Sequence, residues 1–456
     1  MKKLRFYFAM TVAKIAAFGL RMLGRNASYM PGVIALKIAP DFMKYLKKPE
    51  LLICVTGTNG KTTTSNFITS ALRSAGYTVT NNSFGSNVQA GVAAAMLLNS
   101  TLSGRHKNRA AVIEVDERSS LKVYPYISPD YIVCNNVMRD SIKRNAHTQF
   151  ISFILTKAIP ESAALILNAD DIISCGIAPQ CKNRIYFGVD AERPEREEGV
   201  KAKDIVYCPH CGGLLEKEYI RYSHIGRVRC SQCGFASPER DFCVTDIDRE
   251  NETFTVTSEK GSEQFKLVND NIVNVYNFCG CIALLETIGL KYDDISAAFN
   301  SGEIVKTRFI KEKLGDKAEL TMILAKGQNP VAVSRVFSYV SKTPGENKCL
   351  LLFIDDKADN INNVENTCWL YDLDYEPLKD PSIGKMIFAG KRCLDQRLRC
   401  EMTGISPEKT VFVPELKNSS ELIDLDKYGD IYILYDNYLM DEAYREEKAL
   451  KGRCSK

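Results

Sequence analysis

Leu51-Leu-Ile-Cys-Val55, running into Thr56-Gly57-Thr58-Asn59-Gly60-Lys61-Thr62-Thr63-Thr64, decides how the rest of the chain is read. Five apolar residues lead into a turn holding two glycines, and a helical pattern follows to Gly76. The order is strand, glycine-rich turn, helix. Glycines let backbone N–H groups converge on one anion, the helix N-terminus adds its positive dipole end, and Lys61 brings a mobile cation. The stretch therefore predicts a phosphate-binding loop, with Thr62 placed to ligate Mg²⁺. The generic P-loop spacing wants a glycine where Val55 stands, so that pattern is not strictly met. A plain glycine-rich turn is the competing reading.

Outward from this loop the same texture repeats. Apolar runs ending in polar residues or glycine occur at Ala110 to Val115, Tyr131 to Cys134, Ala163 to Leu167 and Ile185 to Phe187. Helix-length segments separate most of them. Such alternation predicts a parallel sheet covered by helices, with ligands at the carboxyl ends of its strands. Leu350 to Ile354, Lys385 to Ala389 and Asp430 to Tyr435 read as strands of another α/β domain. No internal repeat or long low-complexity tract interrupts the pattern. A magnesium site needs hard oxygen ligands beside the phosphates. Glu114, opening Glu114-Val115-Asp116-Glu117 at a strand end, can supply one, a solvated strand end being the alternative.

Composition sets the outer bounds. At 456 residues the chain has room for roughly two to four domains. Hydrophobic residues make up 45% and charged residues 25%, the ordinary globular balance. Sixty basic against fifty-six acidic residues leaves +4, too little to point to nucleic acid as a partner. The apolar stretch Phe6 to Leu23 is broken by Lys14 and Arg21, so neither a signal peptide nor a spanning helix is expected. The expected location is the cytoplasm. An amphipathic first helix could rest on the inner face of the membrane, the competing reading being that it packs onto its own domain.

Most of the sixteen cysteines sit singly in apolar runs, where a thiol acts as a small hydrophobe. Between about Ala202 and Asp241 they do not. Cys208-Pro-His-Cys211, eighteen residues, then Cys230-Ser-Gln-Cys233 is a pair of C-x-x-C knuckles with glycine after each second cysteine. That spacing predicts a tetrahedral Cys₄ Zn²⁺ site with no open position, a redox pair or buried thiols being the alternative. A closed site does no chemistry; it would fold an insert too small for its own core.

Thr56-Gly-Thr-Asn-Gly-Lys-Thr62 resembles the nucleotide loop of the Mur ligases, ATP-dependent enzymes of cell-wall precursor synthesis. The resemblance implies ATP and Mg²⁺ as cofactors. It places Thr56, Gly57, Thr58, Asn59, Gly60, Lys61, Thr62 and Thr63 on the nucleotide and Glu114 with Thr62 on magnesium. Asn168-Ala-Asp-Asp171 and Asn274-x-x-Asn277 look like further landmarks, with Asn277 near the adenine, and Arg308 and Lys326 fall where the family carries phosphate-region cations. The implied fold is a Mur ligase-type P-loop central domain, residues 51–300, with a zinc ribbon inserted at 202–241. A helical segment, 1–50, precedes it, and a Rossmann-like α/β domain, 301–456, follows.

The inserted ribbon narrows the resemblance to the MurT group, synthetase subunits of lipid II isoglutaminyl synthases. Pro31-Gly-Val-Ile-Ala-Leu-Lys37, Gly85-Ser-Asn87, Tyr222-Ser-His-Ile-Gly226 and Gly390-x-Arg392-x-x-Asp395-x-x-Leu398-Arg399 are similar to that group as well. What it implies is ATP-dependent activation of the α-carboxylate of D-glutamate in the lipid II stem peptide as an acyl phosphate, then amidation to D-isoglutamine. Ammonia would come from a class I glutaminase of the GatD type in a heterodimer. This fits the residues. Glutamine hydrolysis needs a Cys nucleophile with a His base, yet His106, His147, His210 and His224 are the only histidines and two of them lie in the insert.

Lys61 and Glu114 are the expected catalytic groups, and Asp359 the carboxylate lent to the partner's triad. The chain departs from the group in Asp359-Asn-Ile-Asn-Asn363, where an amide replaces the last aspartate. It departs again at Ser141 and Lys143, at Thr307, and in Tyr435-Asp-Asn-Tyr438. Two other readings stay open: a non-catalytic ATP-binding regulatory subunit of a glutaminase complex, and an amino-acid-adding Mur or folylpolyglutamate-type ligase.

Overall fold

A computed structural model of the chain describes residues 2–82, 86–140, 147–194, 205–268, 270–300, 309–315, 318–325, 329–355 and 367–454. The chain forms two compact units, the first ending at residue 305 and the second beginning at 306, with the short stretches 139–146 and 198–204 grouped with the second.

The first unit holds eleven strands among the described residues: β1 (Leu51–Thr56), β2 (Val79–Asn81), β3 (Ala110–Glu114), β4 (Tyr131–Cys134), β5 (Ala164–Asn168), β6 (Arg184–Val189), β7 (Leu215–Tyr222), β8 (Ile225–Cys230), β9 (Phe242–Asp248), β10 (Thr253–Ser258) and β11 (Gly261–Lys266). Nine of them make one sheet in the order β11-β10-β9-β6-β5-β4-β1-β3-β2. It is parallel from β2 to β9, and β10 and β11 close its edge antiparallel. Strands buried on both faces must be apolar throughout, which is why β1 and β3 read as continuous hydrophobic runs.

Alternation along β1 sends Leu52 and Cys54 into a core shared with the N-terminal helices Lys2–Met22 and Met30–Ile38 and with the helices Gln89–Leu98 and Thr148–Ala158. Phe67, Phe278 and Phe299 meet where helices Lys61–Ser74, Ile272–Thr287 and Tyr292–Asn300 converge. Gly32 lets two helices cross closely: a Cβ there would stand 1.8 Å from the Ala90 carbonyl oxygen. The chain direction of the parallel strands brings the ends of β1, β3, β4 and β5 to one edge, where the loops that could carry chemistry gather.

Among the named strands β7 and β8 pair with each other alone, as an antiparallel hairpin turning at Ser223 and His224, and Arg229 of β8 also bridges to Ala236. Among the described residues the second unit holds a six-stranded sheet of β12 (Phe309–Leu314), β13 (Ala318–Leu324), β14 (Lys348–Phe353), β15 (Ile383–Ala389), β16 (Thr410–Val413) and β17 (Asp430–Tyr435), ordered β12-β13-β17-β14-β15-β16. Only β12 runs antiparallel. Leu350 and Leu352 face one core while Cys349, Leu351 and Phe353 face another, so this sheet too is covered on both sides.

Candidate functional site

β1 ends at Thr56 and the loop turns at Gly57, whose φ is +109°. A Cβ there would come within 2.7 Å of the Asn136 carbonyl oxygen. Gly60, at φ +89°, has Asn277 Oδ1 2.2 Å from where its Cβ would be. Both positions need glycine for the left-handed backbone and for the close approach. The loop is held from behind by the end of β4. Thr58 N donates to the Asn136 carbonyl at 2.8 Å, Asn59 N donates to Asn136 Oδ1 at 3.0 Å, and Met138 N donates to Thr58 Oγ1 at 2.9 Å. Thr56 Oγ1 donates to the Val115 carbonyl. Helix Lys61–Ser74 then starts with no side-chain cap, so its first N–H groups are left for an anion.

Charged and hydroxyl groups collect over that helix start. Lys61 Nζ lies 3.2 Å from Glu117 Oε1 and also donates to the Gly57 carbonyl. Thr62 Oγ1 stands 3.2 Å from Glu114 Oε2, and Ser65 Oγ donates to Glu114 Oε1 at 2.9 Å. Asn82 fixes the Glu114 backbone, accepting from its N–H at 2.8 Å and donating to its carbonyl at 3.0 Å. Burial pushes the Glu117 carboxyl above its ordinary value while the Lys61 ammonium pulls it down. Thr62 is exposed and Thr63 half-buried on the first turn of the helix. The buried side-chain oxygens of Asn59, Asn135 and Asn277 accept no hydrogen bond among the described residues. An unpaired buried acceptor costs about 1–3 kcal/mol, so these atoms mark places where a donor belongs. Uncapped N–H groups, a lysine, and a hydroxyl–carboxylate pair of hard oxygens could hold a polyphosphate and a divalent cation.

Asn168-Ala169-Asp170-Asp171 leaves the end of β5 and anchors two further elements. Asp171 Oδ2 accepts from Val137 N at 2.7 Å, and its Oδ1 accepts from Ile173 and Ser174 and faces His224 Nε2 at 3.0 Å. Asp170 takes Arg240 and the Tyr276 hydroxyl. The loop, the ribbon tip and helix Ile272–Thr287, which carries Asn277, are thus tied to one dipeptide.

In the ribbon the sulfurs of Cys208, Cys211, Cys230 and Cys233 all lie within 4.8 Å of one another. Cys208 and Cys233 Sγ are 3.6 Å apart, and Cys211 and Cys230 Sγ 3.5 Å. Sulfurs about 2.3 Å from a common tetrahedral ion sit at separations of this order. His210 N points at Cys208 Sγ and Gly213 N at Cys211 Sγ, each at 3.4 Å, orienting thiolates as a metal requires. This cluster could hold one metal ion.

Of the expected site residues, Thr56 to Thr63, Glu114, Asn277 and the four cysteines fall in these two places. Arg308, Lys326, Asp359 and Asn363 lie outside the described residues, as do Ser141, Lys143 and Thr307. Sequence reasoning missed Glu117 as the partner of Lys61, and Ser65 and Asn82 as supports of Glu114. The signal for Glu117 was present. Asp116 caps a one-turn helix after β3, and that turn folds Glu117 back toward the loop. In the second unit Arg399 is structural: buried, it donates to the carbonyls of Leu370 and Leu373 and stacks on the rings of Tyr371 and Tyr375. Gly390, at φ +122°, leaves room for Asp355, which accepts from Lys391 N at 2.9 Å. The histidines have other partners than a nucleophilic thiol: His106 meets Thr80, His147 caps a helix, His210 packs on Phe235 and His224 meets Asp171.

The Mur ligase middle domain model matches residues 55–285, just over half of the chain, and the MurT ligase C-terminal model matches residues 326–439. A pseudomurein peptide ligase type C from Methanothermus fervidus superposes with a TM-score of 0.65 at 21% identity, over 90% of this chain and 81% of that one. MurF from Acinetobacter baumannii follows at 0.62 and 15%, over 92% and 80%. The chain belongs to the Mur ligase family. Within it the chain is a divergent member of the MurT group. It is 29% identical to the lipid II isoglutaminyl synthase (glutamine-hydrolyzing) subunit MurT of Staphylococcus aureus strain COL, over 88% of this chain and 89% of that protein. The subunit of the same name from Streptococcus pneumoniae is 28% identical over 91% of each. The expected fold class holds, and among the described residues no helix is long and apolar enough to cross a membrane.

Proposed function

We propose that the chain is an ATP-dependent carbon–nitrogen ligase that amidates the D-glutamate α-carboxylate of the lipid II stem peptide to D-isoglutamine. The carrying observation is the near full-length similarity to two MurT subunits, in a chain whose loop brings Lys61, Thr62 and Glu114 to one helix start. When bound, ATP with Mg²⁺ supplies the phosphoryl group that makes the carboxylate an acyl phosphate open to ammonia. The protein's share is alignment and charge neutralisation. The helix N-terminus and Lys61 take the phosphate charge, Thr62 and Glu114 offer oxygens to the metal, and Asn82 and Ser65 fix Glu114. Arg308 and Lys326 are assigned as phosphate-region cations and Asn277 as an adenine neighbour.

We assign Zn²⁺ to the four cysteines as a structural ion. Ammonia is assigned to a class I glutaminase of the GatD type in a heterodimer, to which Asp359 lends a carboxylate, and the site of action to the cytoplasm. The test is mass spectrometry of lipid II incubated with the purified chain, ATP, Mg²⁺ and ammonium chloride, since free ammonia bypasses the partner. An ATP-dependent carboxylate-to-amide change is expected. No change, in protein that binds ATP, would transfer the reading to a regulatory subunit. With amino acids supplied as well, a mass gain by one added residue, in place of the small loss that a carboxylate-to-amide change gives, would transfer it to an amino-acid-adding ligase.

A further inference from the structure

Helix Lys2–Met22 is apolar on two opposite faces. Phe6, Ala9, Met10, Ala13 and Ala17 are buried, with the Phe6 ring 5.0 Å from that of Phe42. Leu4, Phe8, Ile15, Phe18 and Met22 are between 62% and 74% exposed. Their spacing of i, i+4, i+11, i+14 and i+18 lines them up along the opposite side. Thr11, the one polar residue in that row, spends its hydroxyl on the Tyr7 carbonyl. A helix apolar on two opposite faces is normally covered on both, and here the described residues cover one side only.

The charges beside the outer stripe say what covers it. Residues 1–40 hold seven basic residues and no acidic one. Lys3, Arg5 and Arg21, on this helix, and Arg25 just beyond it are exposed. A second copy on this face would set this unbalanced positive charge against itself. An anionic bilayer surface matches both halves of the pattern, taking the apolar stripe at the acyl boundary and the cations among its phosphates. The helix is not apolar enough to span, so it would lie in the plane of the surface. Its inner face is already packed on the core, so it is presented ready-folded and the ordering cost of binding is small.

We infer that the outer face of helix Lys2–Met22 is a docking surface for an anionic phospholipid bilayer. The inference stands on the helix alone, and it would set the phosphate loop on a domain held where a lipid-linked acceptor is met. The experiment is flotation of the full chain with vesicles of phosphatidylcholine alone or mixed with phosphatidylglycerol, without nucleotide or acceptor, so that its failure says nothing of the ligase reaction. Binding to the mixed vesicles is expected, weaker by about tenfold or more on pure phosphatidylcholine or at high salt. Phe8→Gln with Phe18→Gln should lower it by a similar factor, with circular dichroism and melting temperature unchanged because both side chains are outside the core. Arg5→Gln with Arg21→Gln should lower it on mixed vesicles only. No binding to mixed vesicles overturns the inference. So does binding indifferent to Phe8→Gln with Phe18→Gln, and so does a concentration-dependent dimer, in chain that ignores vesicles, that this pair dissolves.

Discussion

His224 Nε2 lies 3.0 Å from Asp171 Oδ1, and the other oxygen of that carboxylate holds Val137 N at 2.7 Å. The tip of the cysteine ribbon is thereby joined, through one side chain, to the segment Asn136 to Met138 that clamps Thr58 and Asn59. Gly226 N strengthens the join, donating to the Asp170 carbonyl at 2.7 Å. The ribbon is thus a prop for the phosphate loop. His224→Ala should weaken ATP binding by about threefold to thirtyfold and cost about 1–2 kcal/mol of stability, since Asp171 keeps its backbone donors. Calorimetric titration with ATP measures the first and denaturant unfolding the second. Unchanged affinity would refute the coupling.

What the sequence could reveal depended on how local each feature is. The loop from Thr56 to Thr64 and the cysteine knuckles are short-range patterns dictated by backbone geometry and ligand spacing, so they were legible residue by residue. Runs such as Tyr131–Cys134 stood out because a parallel strand buried on both faces must be continuously apolar. The antiparallel edge of β10 and β11 did not stand out: Thr253-Phe-Thr-Val-Thr-Ser258 alternates like any half-exposed strand. Glu117 and Asn82 escaped for another reason. Their partners lie across 56 and 32 residues of chain, so that even for Glu117, whose turn Asp116 marks locally, the pairing itself was not readable. The outer face of the first helix was readable as an alternative, but only burial of the inner face showed which residues are left over.

Lys61 and Glu114 should separate in a kinetic comparison. Lys61→Ala removes the mobile cation at the helix start, and turnover in the ammonia-driven assay should fall by about a thousandfold with the fold intact. Glu114→Gln keeps the shape of the side chain and one acceptor oxygen for Ser65 or Thr62 but loses the charge. The Mg²⁺ concentration for half-maximal rate should then rise about tenfold or more, while binding of metal-free ATP is retained. Equal Mg²⁺ requirement in the two proteins would remove Glu114 from the metal.

Gly60→Ala should damage both the loop and its contact with Asn277. It needs a left-handed backbone and displaces Asn277, whose oxygen would be 2.2 Å from the new Cβ. ATP affinity should drop at least about tenfold and stability by about 1–3 kcal/mol. Gly19→Ala, inside helix Lys2–Met22 where nothing lies within 4 Å, is the control and should leave ATP affinity unchanged while raising stability by about 0.5–1 kcal/mol.

The ribbon's metal content can be counted. Protein purified without added zinc should contain about one Zn²⁺ per chain, and Cys208→Ser with Cys211→Ser should abolish it. Strong chelation should reproduce the loss of ATP affinity predicted for His224→Ala, because both release the same prop. Metal-free wild-type protein would overturn the assignment.

His106 gives the fold a dependence on pH of known sign. Its ring is buried, Nε2 faces the Thr80 hydroxyl at 3.0 Å, and Nδ1 meets no partner among the described residues. Thr80 also accepts from Asn108 Nδ2 at 2.8 Å, which leaves its own proton for the ring. Desolvation by burial lowers the imidazole pKa below its ordinary value of about 6.5. The unfolded chain therefore takes up the proton first as pH falls. Stability from this residue is fully present above about pH 6.5 and declines as pH drops from there toward the lowered folded-state value. Melting temperatures recorded from pH 8 to pH 5 should fall more steeply below about pH 6.5 in wild type than in His106→Gln, which keeps a donor or acceptor for Thr80 but does not titrate. Parallel curves would show that the ring gains its proton without cost, and hence that it is solvated when charged.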